Sequence, residues 1–229
     1  MNRLVAIVGP TATGKSALAI ALARRFDGEV LACDSTAVYR GIDIGTDKVP
    51  PDAQQGVPHH LVDLVEPTEV YSAARYAEDA ARVAREVVAR GRLPILAGGT
   101  GFYYRALVRG LFPGPARDEA LRARLERVAD RRGPEFLHRW LGRVDPPSAQ
   151  RILPRDRMRL VRALEVYLLT RKPLTAHFAA TRSPIADFAV LTLGLRLARE
   201  RLLPRVARRV DQQYELLLSF CDLIGEREH

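Results

Sequence analysis

Gly9-Pro10-Thr11-Ala12-Thr13-Gly14-Lys15-Ser16 sets two glycines, a lysine and a hydroxyl at the spacing of a phosphate-binding loop. Such a loop turns backbone N–H groups toward phosphate oxygens at the start of a helix, where the helix dipole adds positive potential. Lys15 supplies a compact ammonium between phosphates, and the Ser16 hydroxyl can ligate Mg²⁺. Together they point to a bound diphosphate or triphosphate. In a nucleoside triphosphatase, an acid at the end of another apolar strand usually holds the metal. Here the apolar run 93–97 ends in Gly98-Gly99-Thr100-Gly101, without a carboxylate, whereas the run 29–33 ends in Asp34-Ser35. A carboxylate placed there can face an acceptor nucleophile instead of the metal, which favours a group transferase over a motor or switch ATPase.

Lysine usage sharpens this reading. Only Lys15, Lys48 and Lys172 are lysines among 36 basic residues, so the phosphate loop keeps a lysine in a chain that otherwise uses arginine. By the same logic Lys48 is a candidate phosphate contact. His59-His60 is not read as a metal pair, because adjacent side chains on an extended segment point in different directions. The sole tryptophan, Trp140, reads as core, and Cys33 as a buried strand residue.

These residues need a scaffold. Residues 4–8 form an apolar run ahead of the loop, and 15–26 has helical spacing, closing at Gly28. Strand 29–33 follows, then a Gly/Pro-rich loop through Pro67, an Ala-rich helix over 72–90, strand 93–97 and a helix to about Arg109. Strands alternating with helices predict a parallel sheet with crossover helices. From Pro113 the pattern is helical and charged, over 119–131, 134–141 and 157–169, broken at Gly133, Pro146-Pro147 and Pro154. A strand returns at 188–195, and 198–218 reads as a last helix with Pro204 in or near its first turn. The expected organisation is an α/β core of residues 1–112 and 183–229, interrupted by a helical insertion, 113–182.

The net charge of +9 is unevenly spread. Residues 113–182 hold 16 basic and 8 acidic side chains, whereas 1–112 hold 13 and 12, and 183–229 hold 7 of each. A basic insertion would attract a phosphate backbone. No window approaches the roughly 18 consecutive apolar residues of a membrane span. Two cysteines, Cys33 and Cys221, without ligand spacing, argue against a disulfide framework and for a reducing cytosol.

Six stretches in order carry a family resemblance: the loop 9–16, Cys33-Asp34-Ser35, Val38-Tyr39-Arg40-Gly41-Ile42-Asp43-Ile44-Gly45-Thr46, Val57-Pro58-His59-His60-Leu61, Leu93-Pro94-Ile95-Leu96-Ala97-Gly98-Gly99-Thr100-Gly101, and Arg159-Leu160-Val161-Arg162-Ala163-Leu164-Glu165-Val166. The chain resembles the tRNA dimethylallyltransferases. The resemblance implies a P-loop NTPase-like sheet with an all-helical insertion. It also implies transfer of the dimethylallyl group from dimethylallyl diphosphate to N6 of the adenine 3′-adjacent to the anticodon. It implies Mg²⁺, Asp34 as general base, Thr100 as a positioning hydroxyl and Lys15 at the leaving diphosphate. Contacts to the tRNA anticodon stem-loop would come from Asp34, Ser35, Thr36 and Ala37, and from Met158, Arg159, Leu160, Val161 and Arg162. A monomeric, cytoplasmic protein is implied. Reaching N6 in a stacked loop requires flipping the base out.

The chain departs from the family at Ala37 and Met158, where glutamine is usual or frequent. After Val210 the resemblance fades, although family members usually continue for several tens of residues with further basic segments. The expectation is therefore an apparently truncated C-terminal part, from a fragment, a frameshifted gene or a naturally short member, without the segment that normally supplies one wall of the substrate channel. The competing readings are a prenyltransferase acting on free AMP, ADP or ATP, a P-loop kinase for a small metabolite, and an inactive RNA-binding remnant.

Overall fold

The opening apolar run forms β1 (Asn2–Val8) in the computed structural model, which describes residues 1–46, 48–112 and 114–225, with side chains through residue 218. The chain turns at Gly14, in the left-handed region at φ 92°, and starts α1 (Lys15–Phe26). β2 (Gly28–Ala32) follows, one residue earlier than the sequence pattern indicates. Cys33 is buried just beyond the strand, and its N–H still donates to Ala97 O at 2.8 Å.

The segment to Pro67, expected to be loop throughout, holds a short 3₁₀ turn at Pro51–Gln54 and a two-residue strand, β3 (His59–His60), parallel to β2. Both escape pattern reading, because two residues carry no periodicity and their strand character comes only from pairing with β2. α2 (Ala73–Ala89) is capped by Ser72, whose side chain accepts from the Arg75 N–H at 3.1 Å. Its alanines allow close approach to the sheet, and Tyr76 is fully buried, donating to Ala32 O at 2.9 Å. β4 (Leu93–Gly98) and α3 (Gly101–Arg109) complete this half.

Next come α4 (Glu119–Arg132), α5 (Pro134–Val144), α6 (Pro146–Arg151), α7 (Arg157–Thr170) and α8 (Leu174–Ala180). Pro146-Pro147, read from sequence as a break, instead opens α6, since proline is tolerated at the first helical positions where no N–H bond is needed. α8, too short for a clear period, was not anticipated. These helices pack around Leu125, Leu137, Leu141, Leu160 and Leu164.

The chain then forms β5 (Phe188–Gly194) and α9 (Arg199–Gly225). Pro204 lies inside α9, beyond the first turn. The sheet order is β3-β2-β4-β1-β5, with every pairing parallel. By contacts the chain divides into two compact units, Met1–Gly110 with Ser183–His229, and Leu111–Arg182. The Pro113 boundary and the Cys221 side chain lie outside the described residues. Among the described residues, no helix is long and apolar enough to cross a membrane.

Candidate functional site

The sheet order places β1, β4 and β2 side by side, so the segments after their carboxyl ends meet: the phosphate loop after β1, Gly98-Gly99-Thr100 after β4, and Asp34-Ser35 after β2. Ligands in open parallel sheets bind at such ends. A cavity of about 350 Å³ opens there, lined on one side by Thr11, Lys15 and Ser16 and on the other by Asp34 and Ala37.

The loop is shaped by backbone geometry. A Cβ on Gly9 would stand 2.4 Å from Leu195 O, so only glycine fits where the loop leaves β1. Gly14 is the α1 N-cap, with no side-chain cap bond and no acid in the first turn, which leaves the helix start open to an anion. Lys15 Nζ donates to Pro10 O at 2.7 Å, and Thr13 Oγ1 donates to the same carbonyl at 2.8 Å. Ser16 is exposed and lines the cavity. Its hydroxyl is a hard oxygen donor beside a phosphate cradle, a donor that fits Mg²⁺. Among the described residues, no three His, Cys, Asp or Glu side chains cluster as a protein-only metal site.

The Asp34 turn is fixed from two sides. Asp34 Oδ1 accepts from the Thr36 N–H (2.9 Å), the Thr36 hydroxyl (2.7 Å) and the Ala37 N–H (3.3 Å). Asp34 is thus a turn cap through Oδ1, and among the described residues Oδ2 makes no hydrogen bond. Thr100 sits at the N-cap position of α3 but makes no cap bond. Its Oγ1 instead accepts from the Ser35 N–H at 3.0 Å, with the Ser35 hydroxyl at 3.4 Å. The close approach behind this contact depends on Gly98, where a Cβ would meet Cys33 O at 2.0 Å. Burial pushes the Cys33 thiol up to about 12, which removes it as a thiolate nucleophile.

Lys48 lines the cavity, yet its ammonium is held by Tyr39 O (2.7 Å), Asp43 (2.6 Å) and Asp63 (2.6 Å). Burial works against its charge, and the two carboxylates outweigh that and raise its pKa. The lysine pins the 39–63 segment instead of presenting a free charge to phosphate. His59 and His60 diverge. His60 Nε2 meets buried Glu29 at 2.6 Å, whereas His59 lines the cavity. The His59 Nδ1 hydrogen donates to Val57 O at 2.8 Å, and its Nε2 is buried without a partner among the described residues. Burial lowers the His59 pKa, which disfavours the charged ring.

Two cavity residues escaped the sequence reading: Arg205 and Arg209, one turn apart on α9. Their i, i+4 spacing was visible, but the balanced charge of 183–229 hid it.

The candidate tRNA contacts on α7 lie in the helical unit. Met158 is 77% exposed, while Leu160 and Val161 are buried in that unit's core. Arg159 is exposed and pairs with Asp156 at 2.8 Å. Arg162 donates to Glu165 at 2.7 Å and to Pro115 O at 3.3 Å. Glu165 is fully buried and also receives Arg122 through both oxygens at 2.9 Å and the Asp118 N–H at 3.0 Å. Burial opposes its charge, yet the arginine hydrogen bonds hold its pKa at about 2.

The family model described as IPP transferase matches residues 37–217. The tRNA dimethylallyltransferase of Koribacter versatilis is 47% identical over 212 residues, covering 93% of this chain and 69% of that protein. That of Solibacter usitatus is 50% identical over 213 residues, with the same coverages. Among solved structures, the full-length tRNA isopentenylpyrophosphate transferase of Bacillus halodurans superposes with a TM-score of 0.62 at 38% identity, covering 99% of this chain and 71% of that one. A eukaryotic dimethylallyltransferase acting on tRNA gives a TM-score of 0.78 at 30% identity, covering 99% and 56%.

Proposed function

The chain belongs to the IPP transferase family, and from that premise we propose that it transfers the dimethylallyl group of dimethylallyl diphosphate to N6 of the adenine 3′-adjacent to the tRNA anticodon. The observation that carries the reading is a single cavity lined by both a phosphate loop and a carboxylate from the neighbouring strand end. The diphosphate is held by the N–H groups of the loop, with Lys15, Arg205 and Arg209 offsetting the charge that develops as it leaves. The bond between C1 of the prenyl group and the diphosphate oxygen breaks, and a bond from N6 to C1 forms. One N6 proton passes to Asp34 Oδ2, the oxygen not engaged in its own turn. Thr100 keeps that carboxylate in place through Ser35. Ser16 is the residue that would hold Mg²⁺, which would supply further charge neutralisation at the diphosphate. The helical insertion contacts the tRNA, and the protein works as a cytoplasmic monomer.

The direct test is incubation of the chain with Mg²⁺, dimethylallyl diphosphate and unmodified tRNA, followed by mass spectrometry of the digested nucleosides. N6-isopentenyladenosine is the expected product, and its absence with every tRNA offered would overturn the reading. Asp34→Ala is expected to slow transfer by roughly 10²–10⁴-fold, the usual scale for a general base, with diphosphate binding retained. Unchanged turnover would remove Asp34 from the mechanism.

A further inference from the structure

The helical unit has a face whose charge no ion pair answers among the described residues. Residues 111–182 hold 16 basic and 8 acidic side chains. All eight carboxylates are already engaged. Six pair with arginines of the same unit, namely Arg117, Arg122, Arg155, Arg157, Arg159 and Arg162. The other two, Asp118 and Asp145, cap helices. Arg131, Arg132, Arg139 and Arg143 are exposed, and none has an ion-pair partner among the described residues.

These four arginines converge. Arg131 and Arg132 end α4, and Arg139 and Arg143 stand one turn apart on α5. With Phe136 and Trp140 they line one surface depression of about 610 Å³. Arg132 lies over the Phe136 ring at 4.8 Å, which holds its guanidinium against the apolar floor. A helix-dipole role accounts for arginines in the last turns but not for Arg139, which lies in the middle of α5. Four neighbouring like charges repel one another unless a polyanion answers them, and planar guanidinium groups match phosphate geometry.

We infer that this α4–α5 face is a docking surface for an RNA phosphate backbone, separate from the α7 arginines, all three of which pair with carboxylates of the same unit. The inference rests on the proposed use of tRNA and adds where the backbone lies. The contact is to phosphate and independent of base sequence, because the charged groups are on the rim and Trp140 is packed against the helical core.

Trp140 is the sole tryptophan, so its emission reports on this surface. The test is titration of the full chain with unmodified tRNA at several KCl concentrations, following Trp140 emission and, independently, filter retention. The double variant Arg139→Gln/Arg143→Gln should weaken binding. It should also lower the slope of log K against log[salt] by roughly 1.4–1.8, the release of counterions from two phosphate contacts. Arg25→Gln, which removes charge from α1, should leave the slope near that of the wild type. Both glutamine positions are on the surface, so an unaltered thermal unfolding profile shows that the fold is intact. A wild-type slope in the double variant overturns the docking surface and leaves the proposed reaction standing. Failure of the wild-type chain to bind tRNA at low salt overturns both. Polyglutamate binding as tightly as tRNA, with the same loss in the double variant, would assign the face to acidic polypeptide and overturn the RNA inference.

Discussion

Thr100→Val isolates the contact that joins the end of β4 to the Asp34 turn. The substitution preserves the outline of the side chain and deletes Oγ1, the acceptor for the Ser35 N–H at 3.0 Å. That N–H is part-buried, and leaving it unpaired costs about 1–3 kcal/mol. The start of α3 is untouched, because Thr100 makes no side-chain cap bond and its carbonyl still receives the Tyr104 N–H at 3.1 Å. The stability loss therefore reports the turn and not the helix. Asp34 shares the turn, and a displacement of about 1 Å at a reacting group slows catalysis by roughly 10²-fold. Urea unfolding measures the first effect, and single-turnover transfer to tRNA at saturating diphosphate measures the second. Thr100→Ser, which keeps the oxygen, should restore both. A valine variant that unfolds and turns over like the wild type would refute the claim that Thr100 positions Asp34.

Other perturbations probe the same scaffold. Gly98→Ala would drive a methyl group to 2.0 Å from Cys33 O, a backbone atom with no freedom to yield, and should destabilise by at least about 1–3 kcal/mol. Gly99→Ala meets nothing nearer than 3.6 Å and should be tolerated, so equal melting temperatures for the two variants would contradict the packing described. Glu165, held at about 2 against an ordinary 4.5, binds fewer protons folded than unfolded across that window. Its contribution is complete above pH 4.5, fades as pH falls toward 2, and amounts to about 3 kcal/mol. Glu165→Gln should flatten this part of the acid-unfolding curve, and an unchanged curve would show that the buried pair is not the titrating element. Arg205→Gln should weaken inorganic diphosphate binding by roughly 10–100-fold, the worth of one charge-assisted contact. Calorimetry giving the wild-type affinity would remove Arg205 from the cradle.

The phosphate loop, the Asp34 position and the β1-α1-β2 order were legible because each is local: glycines, a lysine and apolar runs at fixed offsets. The sequence also made Arg162 visible as a charge in a helix. Its partner Glu165 was equally visible three residues on, but that the pair would be buried depends on Arg122 arriving from α4. β3 exists only through pairing with β2, and α6 begins where two prolines suggested an ending. Lys48 was singled out correctly as unusual, but the reason lies in Asp43 and Asp63, which fold back onto it. In each case the missing information was tertiary. Arg205 and Arg209 were overlooked for a different reason, since a neutral segment total conceals two arginines on one helical face.

The pairing of Asn2 with Phe188 has a consequence for how the protein is born. β1 precedes β5 in the chain, so this neighbour in the sheet leaves the ribosome on the order of ten to forty seconds later, at about 5–20 residues per second. Until then β1 has an open edge, and Gly9 lacks the Leu195 carbonyl that it packs against. The helical unit, Leu111–Arg182, emerges whole in the meantime and can fold by short-range contacts. Assembly thus runs opposite to synthesis: the phosphate loop is made well before the strand that seats it, leaving a nascent sheet edge open to mispairing during translation.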